Sequence, residues 1–458
     1  MSGLAAGIRS AHFGLKTLIL ERHNALGGLN GFYAIDGRRY DVGLHAMTNY
    51  VPEGVKGTPL VKLLRQLRIR REEFDLNPQV GSAILMGGRR LSFTNDFAVL
   101  EAEVAREFPA QIDGFRKLDT AVRGMNEVAL DAPAGSADDW IRTFLTDEAL
   151  VDMLLIPLFY YGSARENDMD VPQFAIMWKS LYHEGFARPF IGVRQIVRVL
   201  REKYREAQGE LKVKCGVRRI VADGGRVAAL ELDDGATITA THVVSSAGLV
   251  ETQRLCSDLP PDTGADNIGR LGYCEAMAVL DKEPARDFGW KDTILFFCDS
   301  ERFRYERARD VVDPRSGVIC IPNNYAYADG RTLEEGWLRV TALGAYDRWR
   351  ALSPEAYAAA KAAWLPKLLA LARAHLPPVP DEVFRNSLRA TDMFTPTTVH
   401  RFTGHLGGAI YGAPAKSREG RTHLDNLYVC GTDQGFLGIT GAMLSGISMA
   451  NLHVIAKR

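Results

Sequence analysis

The sequence predicts an α/β protein in which one doubly wound domain is assembled from three separate stretches of chain and interrupted by an α+β domain. Three observations carry this. Residues 1–21 pass from an apolar helical stripe to a short apolar strand that ends in an acid. A strand-rich block with tight glycine turns begins near residue 210 and closes on the apolar run 242–248. Residues 426–454 form a strand that breaks into glycines and then a helix. Between these pieces the texture differs, mainly helical from 51 to 190 and mixed from 270 to 400.

The first piece opens on Ser2-Gly3-Leu4-Ala5-Ala6-Gly7, which reads as the close of a G-x-G-x-x-G turn running into a helix. Leu4, Ile8 and Ala11 sit at helical spacing, and Gly14 is placed to end the helix. Residues 16–20 make the next strand, and Glu21 follows it. Helix, strand and terminal carboxylate are the second half of a Rossmann-like βαβ unit, whose acid holds the ribose hydroxyls of a dinucleotide. The bland alternative is an ordinary exposed Glu21, against which the strand, the spacing and the glycines that follow all argue. A first strand and two further glycines would complete the unit. A central parallel strand buries about four or five apolar side chains, worth roughly 6–15 kcal/mol, as much as a typical domain's whole stability. We therefore expect Met1 to be a misassigned or truncated start; the rival is a genuinely short, cofactor-poor chain.

Further along, 83–85 and 90–93 read as a strand pair inside the helical stretch. Residues 211–214, 217–222, 227–232 and 237–240 alternate as strands, with tight turns at Asp223-Gly224-Gly225 and Asp233-Asp234-Gly235. The run 242–248 reads as a buried strand. Strands are expected at 276–280, 293–297, 317–321 and 337–342, and a helix over 354–375. The division that follows is a binding domain from 1–60, 196–268 and 401–458, with an inserted α+β substrate domain from 61–195 and 269–400.

Lysine plus arginine and aspartate plus glutamate number 56 each, so no global field favours nucleic acid. Apolar residues make up 46%, enough for a sizeable core. The basic run 65–71 reads as a solvated helix face, or as a patch that rests on a membrane. The six cysteines are scattered with no C-x-x-C pair, which suits a reducing compartment and offers neither a disulfide framework nor a zinc motif. The longest apolar run, 151–161, contains Pro157 and is too short to span a bilayer. There is no G-x-S-x-G, H-E-x-x-H or Walker A motif.

Three motifs together carry a resemblance. They are Glu21-Arg22 followed by Gly27-Gly28, the segment Tyr40-Asp41-Val42-Gly43-Leu44-His45, and Leu427-Tyr428-Val429-Cys430-Gly431-Thr432-Asp433 with its glycine-opened helix. The chain resembles the flavin-dependent carotenoid desaturase superfamily: phytoene desaturases, carotenoid isomerases and retinol saturases, with monoamine oxidases as distant relatives. The resemblance implies FAD as cofactor. Gly3 and Glu21 would serve its adenosine half, and Arg22, Gly27 and Gly28 would let backbone and a cation approach the pyrophosphate. Val217 would bring backbone groups to the adenine edge, or is an ordinary strand valine. Gly431 and Asp433 would meet the ribityl or pyrophosphate hydroxyls, with a simple N-cap as the alternative for Asp433. The helix near Thr440 and Gly441 would aim its positive end at the flavin pyrimidine edge.

In retinol-saturase-like members a D-x-G-x-H segment passes beside the flavin ring, which places Gly43 there. His45 then either faces substrate and moves a proton or is hydrogen-bonded inside the core. Residues 395–402 and 407–412 resemble the segment that enters the flavin domain from the substrate side, with Tyr411 as a wall residue. The aromatic-rich helical region with Phe159, Tyr160, Tyr161, Phe174, Met177, Trp178 and Tyr182 is a core, or else a tunnel for a polyene.

The implied activity is oxidation, saturation or isomerisation of a long apolar isoprenoid by hydride transfer to or from flavin, in a cytoplasmic protein that touches a membrane peripherally. The electron acceptor is left open. Two rivals remain: a flavin amine oxidase, and a flavin-binding or flavin-lost scaffold that no longer catalyses.

Overall fold

The computed structural model describes residues 1–43, 45–129, 132 and 134–456; Leu44 of the Tyr40–His45 motif lies outside them. The helix Ser2–Ala11 buries Leu4, Ala5 and Ile8 and leads to the strand Leu18–Leu20. That strand pairs in parallel with Glu210–Lys212, Ile19 lying opposite Leu211. A second parallel pair joins Val243–Ser245 to Leu427–Val429. All three stretches of chain thus contribute to one α/β layer. Among the described residues the two parallel pairs form separate sheets.

The helix Ser2–Ala11 lies across both pairs and packs on Gly438–Met449 and Val193–Glu206. Its crossing with the C-terminal helix is tight because of Gly446, where a Cβ would stand 2.0 Å from the Ser2 carbonyl oxygen. One correction concerns the strand Val243–Ser245, which is only partly buried, as is Leu18–Leu20. Each has one hydrogen-bonded neighbour, so its faces and free edge stay partly open.

The strands Val217–Asp223, Arg226–Leu232 and Thr237–Ile238 form an antiparallel meander beside this layer. A mixed sheet of seven strands makes the second body, in the order Leu388–Phe394, Gly272–Leu280, Gly336–Gly344, Val312–Cys320, Ile294–Cys298, Ser82–Met86, Arg89–Phe93. Only Ile294–Cys298 and Ser82–Met86 run parallel. Alternation assigns its two faces. Leu295 and Phe297 join Leu338, Val340 and Leu368 under the helix Pro354–Ala374, while Ile294, Phe296 and Cys298 face the helices Glu148–Gly162 and Val171–Trp178. Glu275, Arg339 and Thr341 share the second face.

Phe159, Tyr160, Phe174, Met177, Trp178 and Tyr182 are buried in that second core, with Tyr161 packed against it. The helix region is therefore a packed core rather than an open tunnel. The stretch Gly438–Ile455 is long and apolar enough to cross a membrane, but two-thirds of it is buried against the rest of the protein, as a core helix would be.

Candidate functional site

The Ser2–Ala11 helix begins without a capping side chain, so its first amides and positive dipole end are not consumed locally. A Cβ on Gly3 would come 2.9 Å from Ser246 Oγ, and one on Gly431 would come 3.0 Å from Ser2 Oγ. The helix start is therefore pressed against the ends of the Val243–Ser245 and Leu427–Val429 strands, where a side chain would fill the space. Glu21 stands at the end of Leu18–Leu20, its N–H donating to the Lys212 carbonyl and its Oε1 accepting from the His23 N–H at 2.8 Å. Gly27 and Gly28 follow with φ of +122° and +56°, and Gly28 opens on empty space. Gly43, at φ +67°, backs onto the same turn, since its Cβ would stand 2.7 Å from the Leu29 carbonyl oxygen. Uncapped amides, a strand-end carboxylate and side-chain-free backbone fit the adenosine and pyrophosphate of a dinucleotide.

Three residues expected to meet the cofactor are already engaged within the protein. Arg22 donates from Nη2 to the Val217 carbonyl at 2.8 Å and from Nε to Asp233 at 3.2 Å. The nearer opposite charge, on the meander turn, holds the guanidinium and occupies the Val217 carbonyl with it. Asp433 is fully buried, and its two oxygens accept from the main-chain N–H groups of Leu249, at 2.5 Å, and Ala413, at 2.8 Å. It knits the middle and last segments together rather than standing with an oxygen to spare.

The last helix starts at Gly438 without a capping side chain. Thr440 and Gly441 lie in its first turn. The Thr440 hydroxyl donates to the Thr48 carbonyl, and a Cβ on Gly441 would meet the Phe436 carbonyl carbon at 3.0 Å. Thr440 thus docks this turn onto the loop that follows His45, while Gly441 lets the helix start fold back on Phe436. Sequence reasoning missed Lys416, whose Nζ donates to the Tyr411 carbonyl at 2.5 Å and lies 3.8 Å from Asp433. Burial drives its pKa down to about 8, with Asp433 opposing.

On the sheet side, His45 Nε2 lies 3.2 Å from Glu275 Oε1 and 3.1 Å from Thr341 Oγ1. Glu275 and Thr341 are direct cross-strand partners, and Arg339 is one pleat further along. Arg339 donates from Nε to Glu275 and from Nη2 to the Asp41 carbonyl, while Arg188 donates to the Asp41 carboxylate at 2.6 Å. Burial works to raise the Glu275 pKa, but Arg339 and His45 outweigh it and hold the carboxyl at about 2. Burial lowers the pKa of His45 despite the attraction of Glu275, so the imidazole is neutral at neutral pH. An ionised carboxylate only accepts, so Nε2 carries the proton of the neutral ring and Nδ1 is the nitrogen able to take another.

The Tyr161 ring stands 6.4 Å from that of His45, stacked on Phe186, and its hydroxyl is buried with no hydrogen-bond partner among the described residues. Tyr411 completes the wall, but its hydroxyl donates to the Tyr160 carbonyl at 2.6 Å and burial raises its pKa. That phenol is committed to structure and is no proton source.

A family model for flavin-containing amine oxidoreductases matches residues 1–452. The chain belongs to that family. FAD is accordingly its cofactor and oxidoreduction its chemistry. Among curated relatives, the chain is 21% identical to a chloroplastic prolycopene isomerase of Arabidopsis thaliana, over 98% of this chain and 80% of that one. It is 22% identical to a 4,4'-diaponeurosporene oxygenase of Staphylococcus haemolyticus, over 94% and 90%. Among solved structures it is similar to an oxidoreductase of Methanosarcina mazei, with a TM-score of 0.65 and 16% identity over 98% of both chains. A putrescine oxidase bound to putrescine gives 0.56 and 17%, over 100% of this chain and 97% of the other. At these identities the solved structures speak for the fold alone.

Proposed function

We propose that this flavoenzyme acts on a long apolar isoprenoid, a carotenoid-like polyene, by hydride transfer to or from flavin. One observation carries the reading. The carboxylate facing His45, Glu275, is already neutralised by buried Arg339, and the Tyr161 ring beside His45 packs on Phe186 and Phe296 in the aromatic core that Tyr411 also joins. Aromatic rings accept either ligand, but with Glu275 already paired an ammonium group finds no free counter-charge there, which favours an apolar chain. The names of the curated relatives support the same substrate class.

Flavin, when bound, supplies the ring that accepts or gives hydride. The chain's own residues orient and protect it. The uncapped start of Gly438–Met449 offers positive potential, the aromatic wall excludes water, and His45 Nδ1 holds or moves a proton at an allylic carbon. Substrates of this kind partition into bilayers, so the reading goes with a cytoplasmic protein peripheral to a membrane.

The test is anaerobic flavin reduction by purified holoprotein, followed by its visible spectrum. Apolar polyene extracts should bleach the oxidised band, or be altered by the reduced protein, while primary amines and polyamines leave it unchanged. Bleaching by amines alone would replace this reading with amine oxidation. A purified protein without flavin would favour the scaffold reading.

A further inference from the structure

Cys256, Asp258 and His423 come together, and none of them is among the residues expected to hold the flavin. Their ligand-type atoms all lie within 4.8 Å of one another. Cys256 and Asp258 follow the helix Leu249–Leu255, and His423 lies in the loop before the strand Leu427–Val429. The fold therefore assembles a soft thiol, an imidazole and a carboxylate from residues some 165 positions apart, a separation no spacing motif records.

The His423–Asp258 pair is spaced as in a coordination shell, and the Cys256 thiol, which donates to the Thr252 carbonyl at 3.4 Å, would turn from it toward the pair. His423 Nε2 stands 3.2 Å from each oxygen of Asp258. With metal–nitrogen and metal–oxygen bonds of about 2.0–2.1 Å at a tetrahedral angle, those atoms would be about 3.3 Å apart. Both backbones are pinned. The Ser257 N–H donates to the Ile220 carbonyl and the Ser257 hydroxyl accepts from the Ala222 N–H, while the Thr422 hydroxyl donates to the Leu427 carbonyl. Cys256 lines an open cleft of about 470 Å³, and Asp258 and His423 are exposed, so a metal ion can reach all three.

We propose that Cys256, Asp258 and His423 form a zinc site that clamps the middle segment of the chain to the last one. Thiolate with imidazole selects zinc over magnesium or calcium. Binding forms three metal–ligand bonds and releases the Cys256 thiol proton to solvent. The two remaining anionic ligands then balance the dication.

The test is calorimetric titration of the flavin-loaded protein with zinc chloride in two buffers of different ionisation enthalpy, with zinc-edge X-ray absorption on the loaded protein. One zinc per chain, one proton released and one sulfur neighbour are expected. His423→Ala, at a half-exposed position that leaves the core untouched, should weaken zinc by about a hundredfold or more. Cys256→Ser should abolish the sulfur signal, and Cys215→Ser, at the one half-exposed thiol, should change nothing. Zinc should raise the melting temperature of the parent but not of His423→Ala. Absence of stoichiometric binding, or binding unchanged in His423→Ala, would overturn the site. Flavin content and turnover are not used as readouts, so failure here leaves the proposed activity standing.

Discussion

Glu275 and Arg339 stand one pleat apart on neighbouring antiparallel strands, both almost fully buried, and each neutralises a charge that the other would leave bare. Truncating one partner of a buried pair costs about 3–5 kcal/mol, whereas replacing both is often nearly neutral. Arg339→Met should therefore destabilise by that amount in urea unfolding. The double variant Arg339→Met/Glu275→Gln should recover most of the loss. Equal destabilisation in single and double variants would show that packing, not charge, is what Arg339 supplies.

The same carboxylate sets a pH dependence. Its folded pKa of about 2 lies below its ordinary value of 4.5. The unfolded state thus binds more protons in that window, and the contribution is complete above pH 4.5 and lost as pH falls toward 2. Glu184 works in the opposite sense. Burial raises its pKa to about 7 against the hydrogen bond from Asn49, so the folded state holds the extra proton and stability falls as pH rises from 4.5 to 7. Glu184→Gln keeps the acceptor and removes the charge. Its melting temperature should exceed the parent's at pH 8 and match it near pH 4.5.

His45 offers a kinetic signature. As a neutral base with a lowered pKa, it should keep flavin reduction constant from neutral pH to below 6.5, with a fall only at more acid pH. His45→Asn should lower the rate about 10²–10⁴-fold with flavin still bound, and should remove the acid limb. Unchanged turnover with full flavin content would leave His45 as a core histidine.

Gly431 tests the cofactor end. Its φ of +99° disfavours any L side chain, and a Cβ there meets Ser2 Oγ. Gly431→Ala should cost about 1–3 kcal/mol and lower flavin content after purification, read from the absorbance ratio at 450 and 280 nm, taken as roughly where flavin and protein absorb.

The helix from Gly3, the strand before Glu21 and the glycine break at Gly431 were legible because period and turn chemistry are written into adjacent residues. The inner sheet strands were legible for the same reason. The His45–Glu275–Arg339 cluster was not. His45 was a candidate, but Glu275 is 230 positions away and nothing local marks it as facing a histidine. Lys416 escaped because a lone lysine in a loop carries no pattern until Tyr411 and Asp433 close over it. The exposure of Val243–Ser245 was hidden too: an apolar run reads the same whether one edge is paired or two.

Asp433 has a consequence for biogenesis. Its carboxylate ties main-chain amides of residues 249 and 413, and it is synthesised after both of them. Until then the Leu249 helix start and the 411–413 loop have no shared acceptor. Chains that stop short of Asp433 should therefore remain coenzyme-free and protease-sensitive near residue 413, and loading should begin only once that residue is in place.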